Sequence, residues 1–219
     1  MGSLSLSVHP LFFALGFYYA ATGRIFGFLI CTLTAAIHEI GHSVAAGSCG
    51  YRLNKIVLMP FGAVVKGNID GLKPADEIKI ALAGPLVNLG IGLGFVALWW
   101  IFPESYAFTD TAAEANFSMA LVNFIPAYPL DGGRILFAII SEKTGEKKAS
   151  GICKALGGAL GVLLFALFIV SCFHKVNVSL CFFAAFVLLG AFSRTNGNVY
   201  VKAYTAVSEE KLMRGMKIN

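Results

Sequence analysis

Residues 36–42 read Ala-Ile-His-Glu-Ile-Gly-His. His38 and His42 stand four positions apart, so on a helix both imidazoles project from one face and reach a single metal ion. Glu39 follows the first histidine. A carboxylate there can take a proton from metal-activated water and pass it to a leaving amine. Zinc suits such a pair, because it brings the pKa of water down to about 7. The pattern alone is short and has two free positions. Its setting gives it weight: it ends a run that begins Ile-Phe-Gly-Phe-Leu-Ile-Cys-Thr-Leu-Thr-Ala-Ala. One ionisable group at the centre of a spanning helix costs about 2.5–3.5 kcal/mol, so three together need a purpose. The structural alternative, a polar contact between helices, is a costly way to pack them.

A catalytic zinc needs a third protein ligand and one open position. The remaining histidines are His9 and His174. His174 falls on the opposite membrane side from the motif in the topology below. His9 opens the first apolar run, as a ligand or as an interfacial polar residue. Asp131 is the stronger candidate. It lies in Val122-Asn123-Phe124-Ile125-Pro126-Ala127-Tyr128-Pro129-Leu130-Asp131-Gly132-Gly133-Arg134. The two prolines prevent a regular helix, and two glycines follow the acid. Broken backbone at membrane depth is tolerated where it is buried in protein or lines a cavity, as a site admitting water and substrate would require. The other reading of Asp-Gly-Gly is a turn.

These residues need a scaffold, and composition says of what kind. Of the 219 residues, 57% are hydrophobic and 13% charged, and mean hydropathy is +0.75. A water-soluble domain carries about 25% charged residues, so the bilayer is the natural solvent. Six apolar runs are candidate spans, from about Val8 to Thr22, Ile25 to Gly47, after Lys79 to Phe102, Ala112 to Ile125, Ile152 to Phe173 and Val176 to Phe192. Tyr51 to Lys66, rich in β-branched residues and broken at Pro60 and Gly62, reads as a β-hairpin or sheet. The expected fold is an all-α polytopic membrane protein with about six transmembrane helices. A small β-hairpin or sheet lies between helices two and three.

Six spans put both termini on one side. Fifteen of the 17 Lys and Arg then share that side, and Arg24 and Lys175 lie on the other. The positive-inside rule makes the termini cytosolic. Pro103 to Glu114, with three acids and no base, is then external. The formal net charge of +5 belongs to these flanks. No basic cluster is interleaved with stacking aromatics, so nucleic acid is excluded as a partner. Cys31, Cys49, Cys153, Cys172 and Cys181 form no CxxC pair and read as free thiols. The N-terminus lacks a secretory cleavage pattern, and Leu6 stands where myristoylation needs Ser or Thr.

His-Glu-x-x-His in helix two, with Asn-x-x-Pro-x-x-Pro-Leu-Asp-Gly-Gly-Arg after helix four, resembles the site-2 protease family of intramembrane metalloproteases. The likeness covers Val8 to Arg194. His9-Pro10, Leu58-Met59-Pro60-Phe61-Gly62 and Ala83-Gly84-Pro85 also match its bacterial branch, closest to the enzymes that process a sporulation pro-sigma factor. The resemblance implies one Zn2+ held by His38, His42 and Asp131, with Glu39 as catalytic base. It implies that Asn123 contacts the substrate backbone and that Pro60-Phe61 borders the cleft. Asn123 has a second reading, a helix-terminating bond to its own backbone.

The expected domain is residues 1–198, followed by a short cytosolic tail at 199–219, with no nucleotide-sensing CBS domain and no PDZ insert visible. The expected function is intramembrane zinc endopeptidase, cutting a membrane-spanning or membrane-associated protein and releasing a cytosolic fragment. His42 lies ten residues before Arg52, or about 15 Å along a helix, which puts the cut near the cytosolic leaflet. The alternative is a non-proteolytic membrane protein that binds or transports metal. Such a protein would spread its ligands along a pathway and would not need Glu39. Gly157 and Gly161 form a GxxxG that packs helices closely. Gly90, Gly92 and Gly94 either pack likewise or leave room for a substrate helix.

Overall fold

The computed structural model describes residues 5–8, 10–59, 62–68, 72–173 and 177–193. Seven α-helices follow in chain order: α1 Pro10–Ala21, α2 Ile25–Ser48, α3 Pro74–Ile101, α4 Tyr106–Phe124, α5 Asp131–Thr144, α6 Glu146–Cys172 and α7 Val178–Ser193. A 3-10 turn, Pro103–Ser105, joins α3 to α4. Three strands, β1 Ser5–Val8, β2 Arg52–Met59 and β3 Gly62–Asn68, form one sheet in the order β1-β2-β3. β1 runs parallel to β2, and β2 antiparallel to β3.

This corrects the expected architecture of about six transmembrane helices with a hairpin or sheet confined to the second connection. Among the described residues three helices, α2, α3 and α6, are long and apolar enough to cross a membrane; α1 and α7 are shorter apolar helices. α4 begins at Tyr106, so the acidic segment expected as an external loop is largely helical. The extra helix is α5. Proline breaks a helix only where its missing N–H or its ring falls inside, and Pro129 stands two residues ahead of Asp131. Arg134, Leu136 and Ala138, which follow, are good helix formers. Gly145, at φ 81°, separates α5 from α6 in a conformation other residues avoid. The sheet also reaches beyond the second connection, because β1 precedes α1.

Local signals set the ends of α2 and α3. α2 closes with Gly50 at φ 86°, while Tyr51 N–H donates to Ala46 O and Gly50 N–H to Gly47 O. That pair of bonds satisfies the last carbonyls. α3 opens with Pro74 in its first turn and with Asp76 and Glu77, which suit the positive end of the helix dipole.

Close helix contacts are made through glycine. A Cβ on Gly41 would lie 3.0 Å from Ala83 O, where α2 crosses α3. A Cβ on Gly157 would lie 2.9 Å from the Ala191 side chain, and one on Gly161 2.5 Å from Leu188, so the GxxxG of α6 seats α7. Gly92 packs on Phe117, whereas Gly90 and Gly94 face open space. The loop between α4 and α5 is held from two sides. Gly132 and Gly133 lie against the backbone of residues 124–128, and Gly190 of α7 lies against Pro129 and Tyr128 O.

A methyl group at Gly133 would meet the backbone of Ala127 and Tyr128 at 2.5–2.7 Å, which cannot yield as a side chain would. Gly133→Ala is therefore expected to lower the thermal unfolding midpoint in detergent, by about 1–3 kcal/mol of stability. Gly94→Ala, with nothing within 4 Å, should be neutral or stabilising by up to about 1 kcal/mol. Equal effects of the two substitutions would show that the loop is not clamped.

Candidate metal centre

Three elements converge on one point. α2 presents His38 and His42, and the first residue of α5 presents Asp131. His38 Nε2 lies 3.0 Å from Asp131 Oδ2, His42 Nε2 lies 3.1 Å from the same oxygen, and the two Nε2 atoms are 3.1 Å apart. All three residues are at most 6% exposed. α3 supplies the fourth wall with Gly84. A Cβ there would sit 2.5 Å from His42 Nε2 and 2.8 Å from His38 Nε2. Only a residue without a side chain leaves this space open.

The hydrogen bonds around the triad decide what it can hold. His42 Nδ1 lies 2.7 Å from Ile80 O. A carbonyl only accepts, so Nδ1 carries the proton and Nε2 is left with its lone pair. His38 Nδ1 lies 2.6 Å from Asn88 Oδ1. The direction of this bond is fixed further away. Asn116 Nδ2 donates to Ala112 O at 2.8 Å, so its Oδ1 is the atom that accepts from Asn88 Nδ2, also at 2.8 Å. Asn88 Nδ2 donates to Thr34 O as well, at 3.3 Å. With its amide nitrogen committed, Asn88 turns its oxygen to His38, which donates from Nδ1.

Both Nε2 atoms therefore offer lone pairs, and both face a carboxylate oxygen. Three acceptors about 3 Å apart repel unless a cation sits among them. The residues fit a zinc ion: two neutral imidazoles and one carboxylate, spaced as ligands bound at about 2.0–2.2 Å, leaving the fourth position for water or substrate. The partners of the far ring nitrogens hold the tautomers such a metal requires.

Asp131 is aimed from its other oxygen. Arg134 Nη1 donates to Asp131 Oδ1 at 3.2 Å, and Arg134 Nε stands 3.7 Å from Glu77 Oε1 on α3. Burial alone would lower the pKa of Arg134, but Asp131 and Glu77 outweigh it and raise it above its usual value. The guanidinium stays charged and leaves Oδ2 free for the histidines.

Glu39 follows His38 on α2, half-buried and within electrostatic reach of His38, His42, Asp131 and Arg134. Asn123 lies at the end of α4, where its Nδ2 donates to Met119 O at 3.0 Å, a bond to its own helix. Phe61, His9, His174 and the segment 199–219 lie outside the described residues. Asn88 and Asn116 complete the centre without standing in any of the motifs, and Arg134 and Gly84 stand in them with no role assigned. The amides did carry a signal. Each stands among mostly apolar neighbours, and a polar side chain in a membrane helix needs a partner.

Asn88→Ala would leave His38 Nδ1 without its acceptor, and a 10–100-fold loss of zinc affinity is expected in a chelator competition. Gly84→Ala places a methyl group against both Nε2 atoms, so zinc content should fall to near zero while helical circular dichroism persists. Normal zinc content in Gly84→Ala would mean that the metal lies elsewhere.

Comparison with known proteins agrees with this geometry. The sequence model of Peptidase family M50 matches residues 26–110 and 102–167. A zinc metalloprotease of Methanocaldococcus jannaschii is 33% identical over 167 residues, which are 75% of this chain and 48% of that protein. Stage IV sporulation protein FB of Bacillus subtilis is 32% identical over 151 residues, 67% of this chain and 51% of that protein. The chain thus spans about half the length of these curated relatives. A solved structure, the site-2 protease from Methanocaldococcus jannaschii, superposes with a TM-score of 0.69 at 29% identity, covering 90% of this chain and 92% of that one. The match extends over most of the helices that build the metal centre, and the chain belongs to peptidase family M50.

Proposed function

We propose that the chain is an intramembrane zinc endopeptidase acting on a membrane-spanning or membrane-associated protein. The observation that carries this reading is the convergence of three metal-type acceptors, two of which, with a carboxylate beside them, stand on a helix apolar enough to span a membrane. Family membership and the zinc metalloprotease among the relatives support it. A metal transporter would have no use for Glu39 next to a closed triad.

Zinc, when bound, supplies Lewis acidity, polarising a peptide carbonyl and acidifying water. The chain's own groups do the rest. Glu39 accepts a proton from the attacking water and carries it to the amide nitrogen. The C–N bond then breaks, giving a carboxylate and an amine. Arg134 and Asn88 hold Asp131 and His38 in place while charge moves. The scissile segment must be extended to lie across the metal, and its freed amides need acceptors and donors. Asn123, at the end of α4, and Phe61 are the proposed contacts.

Lys79 stands one residue before Ile80 on α3, at the end that holds the centre, and Lys147, Lys148 and Lys154 lie in the first third of α6. The positive-inside rule turns that end to the cytosol. The released fragment would then be cytosolic, as in regulated intramembrane proteolysis.

Glu39→Gln tests the assignment. In a detergent or vesicle assay with single-span substrates it should keep about one zinc per chain and lose about 10²–10⁴ in rate. His42→Ala and Asp131→Ala should lose zinc as well. Full cleavage by Glu39→Gln would refute the role of the base. Stoichiometric zinc with no cleavage by the native chain would favour metal transport.

A further inference from the structure

A groove of about 370 Å³ opens between α6 and α7. Gly158, Ala159, Val162, Leu188 and Phe192 line it with carbon, and Lys154 is the one charged residue in its lining. The depth of that lysine is set by the sequence. No charged residue follows it in α6, and Ala155 to Cys172 is an uncharged stretch of 18 residues. Eighteen residues rise about 27 Å, close to the roughly 30 Å hydrocarbon core of a bilayer. Lys154 thus stands where hydrocarbon meets headgroups, with exposed Lys143, Lys147 and Lys148 beyond it on the same side. From Lys154 the lining descends eight residues to Val162, about 12 Å.

We infer that this groove is a binding site for an anionic glycerophospholipid. The phosphate meets Lys154, and one acyl chain runs past Gly158, Ala159 and Val162 against Leu188 and Phe192. The small residues would also suit a packed helix, but a spanning partner needs a seam near 30 Å long. A furrow of about 12 Å with a cation at headgroup level matches the upper part of one lipid. Basic pockets between spanning helices recognise anionic headgroups in this way. The inference rests on the membrane reading of the chain and not on proteolysis. It has a consequence for the metal centre. The same two helices pack against the loop leading to Asp131, α7 through Gly190 against Pro129 and α6 at Gly157, where a Cβ would lie 4.0 Å from Tyr128 N. A lipid between them stiffens the support behind a metal ligand.

The test uses the full chain carrying Glu39→Gln, delipidated in detergent and titrated with phosphatidylglycerol or phosphatidylcholine under native mass spectrometry. One phosphatidylglycerol should be retained about fivefold better than phosphatidylcholine. Lys154→Gln should abolish the preference and Lys154→Arg keep it, while Gly158→Leu should fill the furrow and release both lipids. If Gly158→Leu fails to fold, the two Lys154 substitutions still decide. Equal retention of the two lipids, or an unchanged preference in Lys154→Gln, would overturn the site. So would efficient dimer formation through Ala159→Cys, which would place a second copy there. Because lipid mass is the readout, absence of proteolysis would refute the proposed function and leave this inference standing.

Discussion

The centre depends on one electrostatic constraint: three acceptor atoms about 3 Å apart must share a cation. Everything around them keeps them acceptors. The Ile80 carbonyl accepts the hydrogen bond of His42 Nδ1–H, Asn88 Oδ1 accepts that of His38 Nδ1–H, and Arg134 donates to the second oxygen of Asp131. Repulsion among the three is tolerated because they are fixed from behind by helices that cannot separate. Gly41 lets α2 touch α3, and the clamped loop pins the start of α5. The fold spends its closest contacts on holding this arrangement before metal arrives, which is how a site gains affinity without rearrangement.

The apolar surface has a matching logic. Large side chains such as Leu33, Val44, Leu163 and Leu189 are more than half exposed, while the buried positions are filled by small residues such as Ala46, Ala81 and Ala120. A soluble protein would invert this. In lipid the outward face need only be apolar, and close packing of small residues supplies the helix contacts.

Much of the site was legible in the sequence because its chemistry is local. The i, i+4 histidines follow from helix geometry, and Asp131 stands out by its broken, glycine-flanked surroundings. The amides were not so legible. Asn88 and Asn116 lie 28 positions apart, and a polar residue in a span says only that a partner exists. Asn123, the amide the motif did mark, donates to its own helix through Met119 O. The helix count went astray at α5 for a physical reason. Two prolines and two glycines signal a break, but they cannot say that the chain resumes a helix at the ligand itself. β1 pairs with a strand some fifty residues away, a long-range choice that no local pattern announces.

The amide chain behind His38 has a direction, and direction makes its members a single hereditary unit. Ala112 O orients Asn116, Asn116 orients Asn88, and Asn88 orients His38. Cutting the chain at Asn116 leaves Asn88 oriented by Thr34 O alone, at 3.3 Å, so a second cut at Asn88 acts on a contact already weakened. The two losses are sub-additive, and the residues are epistatic. Two amides that are not ligands thereby share in setting the protonation of one.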